Sequence, residues 1–341
     1  MINSLVSIVI VNWNGKKHLS YSLSSLKKIN YPNLEVIVVD NGSTDGSIEL
    51  VNSLTRNKKI IKLIKNKKNL GFAEANNIGF REAKGKYVLL LNNDTKVTPN
   101  FLTKLVEAME KDKKIGVVQP KIVFMDSKKL QAGGAFLTNT GFLYHFGYGK
   151  NPDEKKYNQP MDIFSANGSC MLVKREVIER VGLFDPDFFC YFEETDFCWR
   201  VWLAGYKIIY VPSSVIYHKG AQTAKRLKSS FVNYHSFKNR IASLIKNLGP
   251  AELFKTMPTH FLFCQLAFFA FLVMGKFSSD WAIQKAIGWN FLHLGNTLEK
   301  RKKIQNKIRK VSDRELMSKI KRSIKPLYYC HLFSGLKKYE D

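Results

Sequence analysis

Three acids stand close together at Glu193, Glu194 and Asp196, inside the aromatic run Tyr191-Phe192-Glu193-Glu194-Thr195-Asp196-Phe197-Cys198-Trp199-Arg200. Neighbouring carboxylates repel, and apolar surroundings raise carboxyl pKa values, so one of these acids could serve as a general base. The same residues suit an acidic first turn of a helix, with Asp196 and Arg200 paired four apart. Both readings can hold, with different acids in each role. Asp94 ends the run Leu90-Leu91-Asn92-Asn93-Asp94. A carboxylate at the end of a buried strand can hold a hard divalent cation and leave positions open for phosphate. It can equally brace a turn or cap the helix starting near Pro99. His218, in Tyr217-His218-Lys219-Gly220, could be a second ligand or a hydrogen-bonded structural imidazole. Asp40 precedes Asn41-Gly42-Ser43-Thr44-Asp45-Gly46 and could accept a hydrogen bond from a base N–H. The alternative there is a turn feeding a helix capped by Thr44 or Asp45.

Such groups act together only if the elements carrying them converge. Leu5–Val11, Leu34–Asp40, Ile60–Ile64 and Tyr87–Leu91 are short apolar runs. They alternate with helical patterns near 16–29, 46–56 and 72–84, which signals a parallel sheet covered on both faces. Ligands of such sheets sit beyond the carboxyl ends of the strands. Those ends carry Asn12-Trp13-Asn14, Asp40-Asn41-Gly42-Ser43 and Asn92-Asn93-Asp94, which can face one crevice. No GxGxxG follows the first strand, which argues against a nicotinamide or flavin enzyme. Beyond residue 115 come short strands at Ile115–Gln119 and Lys121–Phe124, Gly-rich loops near 133–149, and an apolar segment Ser169–Val173. A helix at 174–181, a helix at Glu193–Ala204 and a strand Lys207–Val211 ending at Pro212 complete this part.

Across 341 residues, 54 Lys+Arg oppose 28 Asp+Glu, a formal charge of +26. The 45% hydrophobic content excludes wholesale disorder. The basic excess belongs mainly to residues 219–341, with 24 Lys+Arg against 7 Asp+Glu. Such a chain is drawn to polyanions. Five scattered cysteines form no CxxC pair, against a disulfide framework or structural zinc. The N-terminal apolar run lacks a basic flank and leads into a turn, so no signal peptide is expected and the chain should stay in the reducing cytoplasm.

The ordered motifs resemble an inverting glycosyltransferase of family 2 with the GT-A fold, in the branch of bacterial rhamnosyltransferases. They are Val-Ser-Ile-Val-Ile-Val-Asn-Trp-Asn-Gly (6–15), Val-Val-Asp-Asn-Gly-Ser-Thr-Asp-Gly (38–46), Asn-Leu-Gly-Phe-Ala-Glu-Ala-Asn-Asn-Ile-Gly (69–79) and Leu-Leu-Asn-Asn-Asp-Thr (90–95). Cys-Met-Leu-Val-Lys-Arg-Glu (170–176), Val-Gly-Leu-Phe-Asp (181–185), Phe-Glu-Glu-Thr-Asp-Phe-Cys-Trp-Arg (192–200) and Tyr-His-Lys-Gly (217–220) follow. The resemblance implies a catalytic domain over 1–225, with a nucleotide-binding half (1–100) and an acceptor half (101–225). It implies a nucleoside-diphosphate sugar pocket using Asn12, Asp40, Gly71, Asn76, Asn92 and Asn93. Asp94 would hold Mg²⁺ or Mn²⁺, joined by His218. Glu194 falls at the catalytic base position, with Glu193 able to trade roles, and Asn167, Gly168 and Asp185 lie towards the acceptor. Two departures stand out. Asn92 replaces the first Asp of the DxD motif, and Glu194 replaces the more usual Asp.

Residues 226–341 read as a helical, basic region that associates with a membrane. Phe261–Gly275 is apolar apart from Gln265, and is interrupted upstream by Lys255, Pro258 and His260. It is shorter than the roughly 20 residues of a span, which favours an interfacial or re-entrant helix over a true crossing. A core helix packed on the catalytic domain is the soluble alternative. Aromatics in Trp281–Leu298 precede Lys300-Arg301-Lys302-Lys303 and Lys307-Ile308-Arg309-Lys310, a pattern suited to an anionic leaflet. No nucleic-acid-binding motif is present. The expectation is a metal-dependent transferase at the cytoplasmic face of the membrane, peripheral or monotopic. It would move rhamnose from dTDP-rhamnose, or a sugar from a UDP donor, to a lipid-linked or cell-surface glycan. The competing readings are nucleotidyl transfer and a non-enzymatic scaffold with a degenerate site.

Overall fold

The computed structural model describes residues 3–55, 60–220 and 227–334. Four strands, β1 (Val6–Asn12), β2 (Leu34–Asp40), β3 (Ile61–Lys65) and β4 (Tyr87–Leu91), lie parallel in the order β3-β2-β1-β4. Helices α1 (Lys16–Leu26), α2 (Ser47–Thr55) and α3 (Gly71–Glu82) connect them. Successive side chains of a strand point to opposite faces. Val6, Ile8 and Ile10 accordingly enter one core while Val9 enters the other. On the Val9 face α3 comes so close that a Cβ on Gly79 would lie 2.2 Å from Val9 Cγ1. The expected α/β class, with a mostly parallel sheet between helices, is the observed one.

After β5 (Thr95–Val97) and α4 (Phe101–Glu110), β6 (Ile115–Phe124) extends the sheet. β7 (Leu130–Ala132) pairs with β6, and β8 (Ala135–Leu137) forms a separate hairpin with β9 (Leu143–His145). β10 (Met161–Asp162) forms the edge; β11 (Cys170–Lys174) inserts antiparallel between β4 and β6. α5 (Arg175–Val181), α6 (Glu193–Leu203) and β12 (Lys207–His218) follow. Because β11 runs against its neighbours, it enters the sheet at the edge where β1, β2 and β4 leave it. Residues 167–169 are thereby brought beside 92–94, and Asn92 N donates to Ser169 O at 2.9 Å.

Two expected breaks at proline are absent. β6 runs through Pro120, where β11 no longer pairs with it, so the missing N–H costs no bond on that side. β12 does not end at Pro212. The register shifts between Val211 and Val215 and absorbs the proline, and the strand continues to place His218 at its end.

The expected boundary at 225/226 falls outside the described residues. Beyond it lie α7 (Ser229–Asn247), α8 (Pro250–Val273), α9 (Phe277–Leu292), α10 (Leu294–Lys303), α11 (Asp313–Ile320) and α12 (Leu327–Ser334). The region is helical as expected, but Leu244, Leu248, Ile304, Ile308, Leu316 and Ile320 belong to the same core as Val9 and Phe197. The short apolar helix expected at 261–275 is instead one helix running through Lys255, Pro258 and His260. Thr256, His260, Cys264, Ala267 and Phe271 form its buried stripe, and His260 Nδ1 lies 2.8 Å from Thr140 O. Packing thus outweighs the internal proline. Part of the basic run 300–303 also turns inward: Lys300 pairs with Asp185 and Asp187, and Arg301 donates to the carbonyls of Ile245 and Leu248.

Candidate active site

The carboxyl ends of the strands open onto a cavity of about 460 Å³. Gly71, Asn92, Asn93, Asp94, Asn167, Gly168, Glu193, Glu194 and His218 all line it. Residues far apart along the chain therefore meet where the sequence placed them.

β4 and β12 supply the metal candidates. Asp94 and His218 are both buried, with Asp94 Oδ1 2.9 Å from His218 Nε2. Burial alone would raise the Asp94 pKa, but hydrogen bonding to His218 and its charge outweigh that and hold the carboxyl below its ordinary value. On the far side of the ring, His218 Nδ1 lies 2.9 Å from Gln131 Oε1, an acceptor only. Nδ1 must then carry a hydrogen, and a ring with no second proton would set the Nε2 lone pair against the carboxylate oxygen, with Asn92 Nδ2 3.4 Å from Nε2. That contact calls for a proton or a cation between the two atoms. An imidazole oriented by a polar partner, beside a carboxylate, fits a divalent cation that takes its other ligands from phosphate and water. Among the described residues no group of three or more His, Cys, Asp or Glu surrounds a common metal position.

α6 delivers the acids from the opposite wall. Glu193 is buried, and among the described residues its Oε2 has no hydrogen-bond partner. Burial, and secondarily the charge of Glu194, raise its pKa well above the ordinary range. Burial likewise pushes Glu194 up to about 7, partly offset by backbone N–H groups including that of Gly168. Such a pair holds at most one negative charge comfortably near neutrality. Asp196, on the same helix, is ionised by contrast: burial opposes its charge, but Lys246 and Arg200 more than compensate. Arg200 Nε lies 3.2 Å from Asp196 Oδ2, the pairing four apart that the sequence suggested.

Four expected contacts do not line the cavity. Asn12 and Asp40 lie buried beneath it. Asn12 Nδ2 donates to Asp40 Oδ2 at 3.0 Å, Ser43 N donates to Asp40 Oδ1 at 2.8 Å, and Asn93 Nδ2 donates to Asn12 Oδ1 at 2.7 Å. These two residues order the strand ends that form the cavity floor. Asn76 does not reach the cavity; it lies within α3, where its Nδ2 donates to Phe72 O at 2.8 Å. Asp185 does not line the cavity; Lys246 and Lys300 hold it at 2.5 and 2.6 Å. Burial would raise its pKa, yet those two ammonium groups pull it far below the carboxylate range.

The cavity also uses residues to which the sequence reading gave no individual role. Trp13, Asn41 and Asn69 line it, and Asn41 Nδ2 bonds both Asn69 Oδ1 (2.8 Å) and Gly71 O (3.1 Å). All three lie in or beside the quoted motifs, so position alone could have marked them. Phe189, Tyr191, Leu227 and Phe231 form an aromatic and apolar wall. Nothing local distinguishes Leu227 or Phe231, which lie beyond the expected domain boundary.

A strand-end carboxylate and an imidazole thus face a raised-pKa glutamate pair in one cavity at the carboxyl edge of the sheet. The model of the Glycosyl transferase family 2 matches residues 7–182, and the chain belongs to that family. It is a glycosyltransferase. A glycosyltransferase of Haemophilus influenzae, itself uncharacterized, is 28% identical over 73% of this chain and 79% of its own. The N-acetylglucosaminyl-diphospho-decaprenol L-rhamnosyltransferase of Mycobacterium tuberculosis is 26% identical over 69% of this chain and 82% of its own. Among solved structures, the mannosyltransferase of Pyrobaculum calidifontis in complex with GDP-Man and Mn²⁺ superposes with a TM-score of 0.58. It shares 17% identity and covers 99% of this chain and 85% of its own, a likeness of fold.

Proposed function

We propose that this protein transfers a sugar, rhamnose or a hexose, from a nucleoside-diphosphate donor to a hydroxyl of a lipid-linked or cell-surface glycan, with inversion. The observation that carries the reading is that Glu194, Asp94 and His218 line one cavity. The acceptor oxygen attacks the anomeric carbon, the bond from that carbon to the diphosphate oxygen breaks with its electron pair leaving on the phosphate, and Glu194 takes the hydroxyl proton. Glu193, deeper and without a partner for Oε2, stays protonated and keeps the pair at a single negative charge. Asp94 and His218 would hold Mg²⁺ or Mn²⁺, which when bound offsets charge on the departing diphosphate. Trp13, Asn41, Asn69 and Gly71 bind the donor side, with Asn12, Asp40, Asn92 and Asn93 ordering it. Asn167 and Gly168 orient the acceptor. The name of the rhamnosyltransferase relative supports rhamnose as the sugar; dTDP-rhamnose or a UDP-sugar is the donor proposed.

The apolar residues left exposed on α8 and α9 support a membrane-associated protein, for which the cytoplasmic face is the proposed location. They include Phe269, Val273, Phe277 and Trp281. Among the described residues α8 is the one helix long and apolar enough to cross a membrane, and its other face is packed on the fold. A monotopic seat suits that division.

The test is Glu194→Gln. Turnover should drop by about a hundredfold or more, the usual worth of a positioned base, while the nucleoside diphosphate still binds. Undiminished turnover would remove Glu194 from the mechanism.

A further inference from the structure

The segment just before the acids is conformationally costly. Phe189, Tyr191 and Phe192 all have left-handed backbones, with φ of 62°, 68° and 72°. Side-chain-bearing residues avoid that region, and such strain persists only where surrounding structure imposes it. Phe192 is also the residue on which α6 begins, so this run sets the direction in which Glu193 and Glu194 leave the helix terminus.

What imposes the strain comes from two sides. From the donor half, Ala73 N donates to Phe189 O at 3.1 Å; a Cβ on Gly71 would lie 2.5 Å from that same oxygen. From the C-terminal region, one face of α7 meets the carbonyls. Asn239 Nδ2 lies 3.0 Å from Phe188 O, 2.9 Å from Cys190 O and 2.6 Å from Tyr191 O. Lys238 Nζ donates to Asp187 O at 2.6 Å, and His235 Nδ1 lies 3.2 Å from Phe188 O. One and two turns further along α7, Ser243 and Asn247 each donate to Asp196 Oδ1 at 2.9 Å. Asn239 is fully buried, so its amide has no water to replace these carbonyls.

We propose that Asn239 is a positioning residue: it holds the left-handed run 189–192 and so aims Glu193 and Glu194 into the cavity. The side chain touches neither cavity nor reacting atoms and acts through the loop. Its catalytic consequence rests on Glu194 as the base, whereas its hold on the loop does not.

The experiment compares the full chain with Asn239→Ala and with Asn239→Asp, which keeps the volume but loses the donor. Hydrogen exchange followed by mass spectrometry should speed up about tenfold or more in peptides covering 188–197 and stay unchanged in β1 to β4. Where transfer is measurable, kcat should fall by about a hundredfold, the scale of an ångström of misplacement, with donor KM within about twofold. The acid limb of the kcat profile should move as well. Unchanged exchange at 188–197 in both variants overturns the proposal, as does exchange accelerated everywhere alike, which marks plain destabilisation. The exchange measurement needs no donor. A chain that moves no sugar yet loosens only at 188–197 keeps Asn239 as the holder of the loop and discards the transferase mechanism instead.

Discussion

As the proposed base, Glu194 would set the pH at which this site can work. A base must be ionised to accept a proton, and burial lifts Glu194 from an ordinary 4.5 to about 7. Turnover should therefore rise with pH through a limb near 7, and a pH–rate profile with its limb near 4.5 would contradict this. The same shift bears on stability with the opposite sign. A carboxyl whose folded pKa is raised favours the fold while protonated and loses that advantage as pH climbs past its unfolded value towards its folded one. Glu193→Gln removes that loss, so its melting temperature should exceed the wild type's at pH 8 and match it at pH 4, by calorimetry at both pH values. Across the cavity, Asp94→Asn deletes the charge that faces His218 Nε2. Titration with a nucleoside diphosphate should then show Mn²⁺ no longer strengthening binding, while binding without metal persists.

At the scale of elements, α7 joins the C-terminal region to the catalytic half through buried charge. Lys246 is 3% exposed and contacts Asp185 and Asp196 together, at 2.5 and 3.1 Å. Lys246→Met would leave two buried carboxylates short of a counter-charge, a change that typically costs about 3–5 kcal/mol. Urea unfolding should register that loss, and a change within error would show that Lys300 and Arg200 suffice. The strands of the first half were legible because each is a short apolar run bounded by turn residues. β2 and β4 begin and end where the sequence set them. β6 and β12 were not, because a proline reads locally as a break, whereas its missing N–H is harmless where the neighbouring ladder has already ended or shifted.

On the scale of the whole molecule, a formal charge of +26 accompanies a cluster of exposed apolar side chains on α8 and α9. The two would act in different ways. Exposed Lys and Arg attract anionic headgroups, an effect salt screens, while apolar side chains contribute regardless of salt. The protein should float with vesicles containing phosphatidylglycerol, less so at high salt. Val273→Ser with Phe277→Ser should weaken flotation at every salt concentration without altering the melting temperature. Equal flotation of the double variant would take this surface out of membrane binding.

The sequence alone determined the alternation of strand and helix and the polar clusters at the strand ends, and the resemblance carried by its ordered motifs marked Asp94, Glu194 and His218 as the groups to watch. Each depends on short-range pattern: apolar periodicity fixes the elements, and a parallel sheet sends its carboxyl ends to one edge. Only the tertiary structure decided that Asp185 is held by lysines and that α7 grips the strained approach to α6. Those facts join residues some fifty to a hundred positions apart. A buried hydrogen bond across such a gap leaves no periodicity to read, because its partners are chosen by packing and by the need to satisfy every polar group removed from water.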